Sequence, residues 1–123
     1  EVPCGVGMQS IDICFIQEKE IEINISVCEL KYKQPKINIK MQLEKYIEWI
    51  KDYIIPTYNK KIVITPIIIA PKPTNKTKEM YEGIKDSLEY SNDQITVEKI
   101  KYISFIEQDN KILFEEVSNE KTA

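Results

Sequence analysis

The chain contains no histidine and no arginine, so all 17 of its basic residues are lysine. Without histidine, Ser-His-Asp and Cys-His catalysis are excluded, and so are histidine-ligated metal sites, His-Asn-His nucleases and histidine-based phosphodiesterases. Glycine is scarce, with three in the whole chain, and Gly5-Val6-Gly7 lacks the remainder of a phosphate-binding P-loop. The cysteines, Cys4, Cys14 and Cys28, are odd in number and have no paired spacing, which argues against a disulfide framework or a zinc site. Cys14 and Cys28 fall in strand-like runs and read as small buried hydrophobes, while Cys4 fits either reading. No long hydrophobic run exists. Ile54-Ile55 and Ile67-Ile68-Ile69-Ala70 are far too short to span a bilayer, and nothing resembles a signal peptide. Any catalysis must run on carboxylate, lysine, hydroxyl or thiol.

What is present fits a small cytoplasmic globular protein. A length of 123 residues suits one domain, residues 1–123, and the apolar content of 42% is ordinary, though isoleucine is heavily used. The chain starts at Glu1 rather than methionine, which fits a fragment or a processed product. The net charge of −3 does not favour nucleic acid, but the charge is uneven. Lys31, Lys33, Lys36 and Lys40 crowd one segment, and Lys60, Lys61, Lys72, Lys76 and Lys78 flank the next strand. Lining one rim, these lysines would follow a phosphate backbone; otherwise they are a solvated surface.

The most informative segment is the alternating run from Glu20 to Tyr32, which ends in Glu29-Leu30-Lys31. Strand side chains alternate faces, so Glu29 and Lys31 point the same way. A second acid, Asp12, lies on the preceding strand-like run. Two carboxylates can hold a hard divalent cation, and a nearby lysine can stabilise charge developing on a phosphate. With Asp12 opposite Glu29 in an antiparallel pair, Cys14 faces Val27 and Ile16 faces Ile25 on one side, while Ile13 faces Cys28 and Phe15 faces Ser26 on the other. A slip by one residue scrambles that pattern. The turn then centres on Glu20 and Ile21 and is expected to be wide or bulged.

Downstream, Ile39, Leu43, Ile47, Ile50 and Ile54 form a stripe that predicts a helix over residues 37–54, closed by Pro56. A second stripe holds Gln42, Tyr46, Trp49 and Tyr53. Gln42 and Tyr46 are one turn apart and reach the same place, whereas Trp49 and Tyr53 read as boundary aromatics. Residues 62–70 read as a buried strand with apolar residues on both parities, which suits cover on both faces. Pro66 costs that strand a ladder bond and implies an edge, a bulge or a delayed start. Thr77 is the expected cap of a helix over residues 77–91, with Met80, Tyr81, Ile84 and Leu88 inward. A strand over 95–106, a turn at Asp109-Asn110, a strand over 111–117 and a frayed tail from Ser118 complete the expected order.

Asp12 followed by Glu29-Leu30-Lys31 resembles the PD-(D/E)XK nuclease motif, and Gln42-Leu43-Glu44-Lys45-Tyr46 resembles the Gln-x-x-x-Tyr motif of its RecB-type branch. Gly7-Met8-Gln9-Ser10-Ile11-Asp12 resembles that family's approach to its first acid, and the resemblance in element order spans roughly residues 1–106. It implies an α/β (α+β) restriction-endonuclease-like core, with a central mixed sheet of about four to five strands flanked by helices. It further implies Mg²⁺, with Mn²⁺ substituting, held by Asp12, Glu29 and the Leu30 backbone carbonyl. Lys31 would stabilise the transition state or position water, Gln42 and Tyr46 would sit at the edge of the active site, and DNA would be hydrolysed. By the same resemblance, relatives of this size often work as dimers, which implies a homodimer, and a further reading is a nuclease domain of a multidomain parent chain. The sequence departs from the family in having Ile11 where the motif carries proline, and in lacking the N-terminal helix that often contributes another glutamate. A non-catalytic DNA-binding or assembly module of the same fold is the alternative.

Overall fold

The alternation of isoleucine and valine with polar residues produces what β-branched side chains favour, a pleated sheet with one strongly apolar face. The computed structural model describes residues 2–3, 10–54 and 59–117. Cys4, the Gly7-Met8-Gln9 approach to Asp12, Pro56 and the tail from Ser118 lie outside the described residues. In chain order the elements are β1 (Val2–Pro3), β2 (Ser10–Ile11), β3 (Ile13–Glu18), β4 (Glu22–Leu30) and α1 (Asn38–Trp49), which runs on as a π-helical turn, Ile50–Ile54. There follow β5 (Lys61–Pro71), α2 (Asn75–Ile84), β6 (Tyr90–Ser91), β7 (Ile95–Val97), β8 (Lys101–Gln108) and β9 (Lys111–Glu116).

The α+β architecture is as expected in class, but the main sheet has seven strands rather than four to five. Its order is β3-β4-β5-β7-β6, and β8 takes over from β7 beside β5 with β9 on its outer edge. The β4–β5, β5–β7 and β5–β8 pairs are parallel and the others antiparallel. Parallel neighbours need a crossover, and α1 and α2 supply them. A separate small sheet pairs β1 with β2.

The β3–β4 register is the expected one: Ile13 pairs with Cys28, Cys14 with Val27, Phe15 with Ser26 and Ile16 with Ile25. The turn is neither wide nor bulged. The Lys19 N–H donates to the Glu22 carbonyl at 2.8 Å, leaving only Glu20 and Ile21 to close the hairpin. At the other hairpin, Asp109 and Asn110 take positive φ values of 52° and 63°, the left-handed pair that a tight two-residue loop demands.

Both helices pack on one face of the sheet. Ile23, Ile25 and Val27 of β4 and Ile62, Ile64, Ile68 and Ala70 of β5 share a single core with Ile39, Leu43, Tyr46, Ile47 and Ile50 from the first helical segment. Tyr81 of α2 meets Tyr102 of β8 edge-on in the same core, with ring centroids 5.6 Å apart. Each fully buried isoleucine there contributes about 1.5–3 kcal/mol of transfer free energy. The opposite face of β5 is not covered as expected: Val63, Thr65, Ile67 and Ile69 are only half-buried.

Three other expectations are corrected. Pro66 lies in the sheet interior, not at an edge. Even-numbered residues of β5 turn their backbone toward β7 and β8, since Gln94 accepts from the Ile62 N–H and Ile64 accepts from the Glu98 N–H. Pro66 therefore presents its missing N–H where β7 ends and β8 has not begun, over residues 98–100, and no ladder bond is lost. The expected 95–106 strand is split at that same gap. Finally, α2 is capped by Thr74, whose Oγ1 accepts from the Thr77 N–H at 3.2 Å, and it ends at Ile84 rather than at 91. The Ser87 hydroxyl takes the Ile84 carbonyl at 2.6 Å and competes with continuation of the helix, and Tyr90 and Ser91 enter β6 instead.

Candidate active site

A carboxylate that follows three core aliphatics on the covered face of β4 must find partners or stay neutral. Glu29 is 4% exposed, and each of its oxygens has a partner. The Tyr46 hydroxyl of α1 donates to Oε2 at 2.7 Å, and the Lys31 ammonium lies 3.2 Å from Oε1. The two-residue spacing puts Glu29 and Lys31 on one face, as expected, and the helical stripe delivers Tyr46 from above. Lys31 keeps a third of its side chain in solvent, so the pair sits at the boundary of the core.

Asp12 reaches the same strand end by a different route. It occupies a bend just before β3, and its Oδ2 accepts the Leu30 N–H at 2.9 Å. Even-numbered residues of β4 point their backbone toward β3, and the ladder stops at the Ile13–Cys28 pair. The Asp12 carboxylate thus replaces the next backbone acceptor. A strand residue turns its N–H and C=O to one side, so the Leu30 carbonyl faces the edge that Asp12 occupies. Gln42 lies one turn before Tyr46 on α1, half-buried, with its amide oxygen shielded from solvent. Trp49 packs against the core and stacks obliquely on Tyr53 at 5.9 Å.

Neighbouring groups limit the chemistry further. Burial, aided by the nearby Cys14, pushes the Cys28 thiol up to about 11, so it is no thiolate nucleophile near neutral pH. Burial pushes the Tyr102 phenol up to about 12, and its hydroxyl donates to the Pro71 carbonyl at 2.7 Å. Among the described residues no group of three or more Cys, Asp or Glu side chains gathers as a metal cluster, and no helix is long and apolar enough to cross a membrane.

No family model, no curated protein and no solved structure matches this chain.

The lysines do not line one rim. Lys60 and Lys61 stand at the start of β5, where Lys60 pairs with Glu18 at 2.8 Å. Lys72 stands at its far end, a full strand away, with Lys76 and Lys78 in α2 just beyond. Lys31, Lys33 and Lys36 instead gather around a cleft of about 400 Å³ formed by the β4–α1 loop. A residue missed in the sequence holds that loop in place. The Gln34 amide donates through Nε2 to the Lys72 carbonyl at 2.9 Å and accepts through Oε1 from the Thr74 N–H at 3.1 Å. No local signal marks Gln34, because its partners are 38 and 40 residues away.

Proposed function

We propose that this chain is a metal-dependent deoxyribonuclease whose centre lies at the C-terminal end of β4. The observation that carries the reading is Glu29: a nearly buried carboxylate held between Lys31 and Tyr46, with Asp12 fastened to the next residue's amide. The donor set fits a hard cation, since Asp12, Glu29 and the Leu30 carbonyl offer only oxygen. A divalent cation held there would supply Lewis acidity and charge neutralisation at the scissile phosphate. Asp12 keeps one oxygen clear of the Leu30 amide. Both oxygens of Glu29 are engaged, so Oε1 becomes available only when Lys31 swings off it. The ammonium released in that way is placed to hydrogen-bond a phosphoryl oxygen and to stabilise its growing negative charge. Tyr46 acts as a positioning residue, holding Oε2 while Oε1 changes partner, and Gln42 shares its helical face.

One observation favours a second reading. The Glu29 carboxylate is already satisfied by Lys31 and Tyr46, which is also how a purely architectural ion pair looks in a non-catalytic module of this fold. Cleavage of labelled single-stranded, duplex and branched DNA separates the two. The expected result with Mg²⁺ or Mn²⁺ is cutting that EDTA abolishes and that Lys31→Ala and Asp12→Asn each reduce about a hundredfold or more. Asp12→Asn keeps an acceptor for the Leu30 N–H, so its loss of activity would not be a folding defect. Intact substrates with the wild type, alongside metal-independent DNA binding, would establish the architectural reading.

A further inference from the structure

We propose that the cleft of the β4–α1 loop binds a single strand of nucleic acid, with Tyr32 as a stacking platform and Lys33 and Lys36 as phosphate contacts. The inference rests on the nuclease reading for its substrate and adds the form that substrate takes. The cleft holds about 400 Å³ and is lined by Lys31, Tyr32, Lys33, Gln34 and Lys36 among others, with no carboxylate in its walls. That is a local excess of positive charge in a chain of net charge −3. Among the described residues neither Lys33 nor Lys36 is engaged in an ion pair. Tyr32 stands 81% exposed between Lys31 and Lys33. Lys31 belongs both to this cleft and to the Glu29 pair, so a strand lying in the cleft runs directly to the carboxylates.

The aromatic selects the form of the ligand. A duplex hides its base faces in its own stack, and only an unpaired base offers a face to a tyrosine ring. Lysines alone would serve any polyanion, but an exposed ring with a lysine on each side of it in the chain combines stacking with backbone charge, as single-strand sites do. Gln34 holds the loop from both ends of its amide, so the platform is in place before binding and little ordering entropy is lost.

The test is binding of a short labelled oligothymidylate and of a duplex of equal length to the full chain in EDTA, read by fluorescence anisotropy. The expected results are tighter binding of the single strand and a loss of about tenfold with Tyr32→Ala that Tyr32→Phe restores. Lys33→Ala with Lys36→Ala should flatten the slope of log affinity against log salt by about 1.4 for a single strand. Equal binding by Tyr32→Ala and wild type, a wild-type preference for duplex, or displacement by polyglutamate as effective as by unlabelled oligonucleotide would each overturn the proposal. The variants are at exposed positions, and a thermal melt confirms that each is folded. Because nothing is cut in EDTA, binding that survives without any Mg²⁺-dependent cleavage sinks the nuclease reading alone. Cleavage that persists without Tyr32-dependent binding sinks only this one.

Discussion

The two faces of the main sheet are built from the same kinds of residue and have different fates. On the helix-covered face Ile25, Ile64 and Ile68 are fully buried. On the other, Phe15 and Phe114 stand 62% and 64% exposed. Hydrophobicity alone does not distinguish them; the difference is that both crossovers place their helices on one side. The same asymmetry shapes the candidate site. Glu29 is on the covered face and is constrained by Tyr46 and Lys31, whereas Lys33 and Lys36 of the β4–α1 loop are in no ion pair among the described residues.

Truncating one side chain on each face tests the asymmetry. Ile64→Ala should lower unfolding free energy by about 3–4 kcal/mol in urea, through lost transfer energy and a residual cavity. Phe15→Ala should cost about 0.5 kcal/mol by the same measurement, because its ring is already wet. Comparable losses at the two sites would mean that the second face is covered in solution.

The next effect is at the boundary between core and site. Tyr46→Phe removes the donor to Glu29 Oε2 with little change of shape, leaving a buried carboxylate oxygen short of a partner, and should cost about 2 kcal/mol. A neutral result in urea melts would show that water replaces the hydroxyl and that the site is wetter than its burial implies.

Away from both faces, Asn110→Ala forces a left-handed φ of 63° on a residue that resists it, for about 1 kcal/mol, while Asn110→Gly should be close to neutral. Equal stability of the two variants would rule out strain at that turn.

The last effect, absent at neutral pH, is titration of Cys28. Its folded value of about 11 lies above the ordinary 9.0, so the folded state holds the proton more tightly than the unfolded chain does. The resulting stability is complete below 9.0 and is lost as pH rises toward about 11. Cys28→Ala should flatten the fall in denaturant midpoint across that window. An unchanged fall would assign it instead to Tyr102, whose phenol is raised to about 12.

The features legible in the sequence were those written in short stretches of chain. The alternation from Ile21 to Val27 set the β3–β4 register, because a slip by one residue would have turned Ile23 and Ile25 out of the core. The stripe of Ile39, Leu43 and Ile47 set the buried face of α1, and Glu29 and Lys31 fell together because strand residues two apart share a face. Asp109-Asn110 tolerates a left-handed turn whatever surrounds it. Tertiary structure alone decided that Pro66 costs nothing, since that depends on where β7 gives way to β8. It also decided that the lysines divide between the two ends of β5, and that Gln34 clips two loops together. Each of these depends on segments that are distant in sequence and adjacent in space, and no local pattern encodes which distant partner will arrive. The period of a strand is a property of its own backbone; whether a face is covered, and by what, is a property of the whole fold.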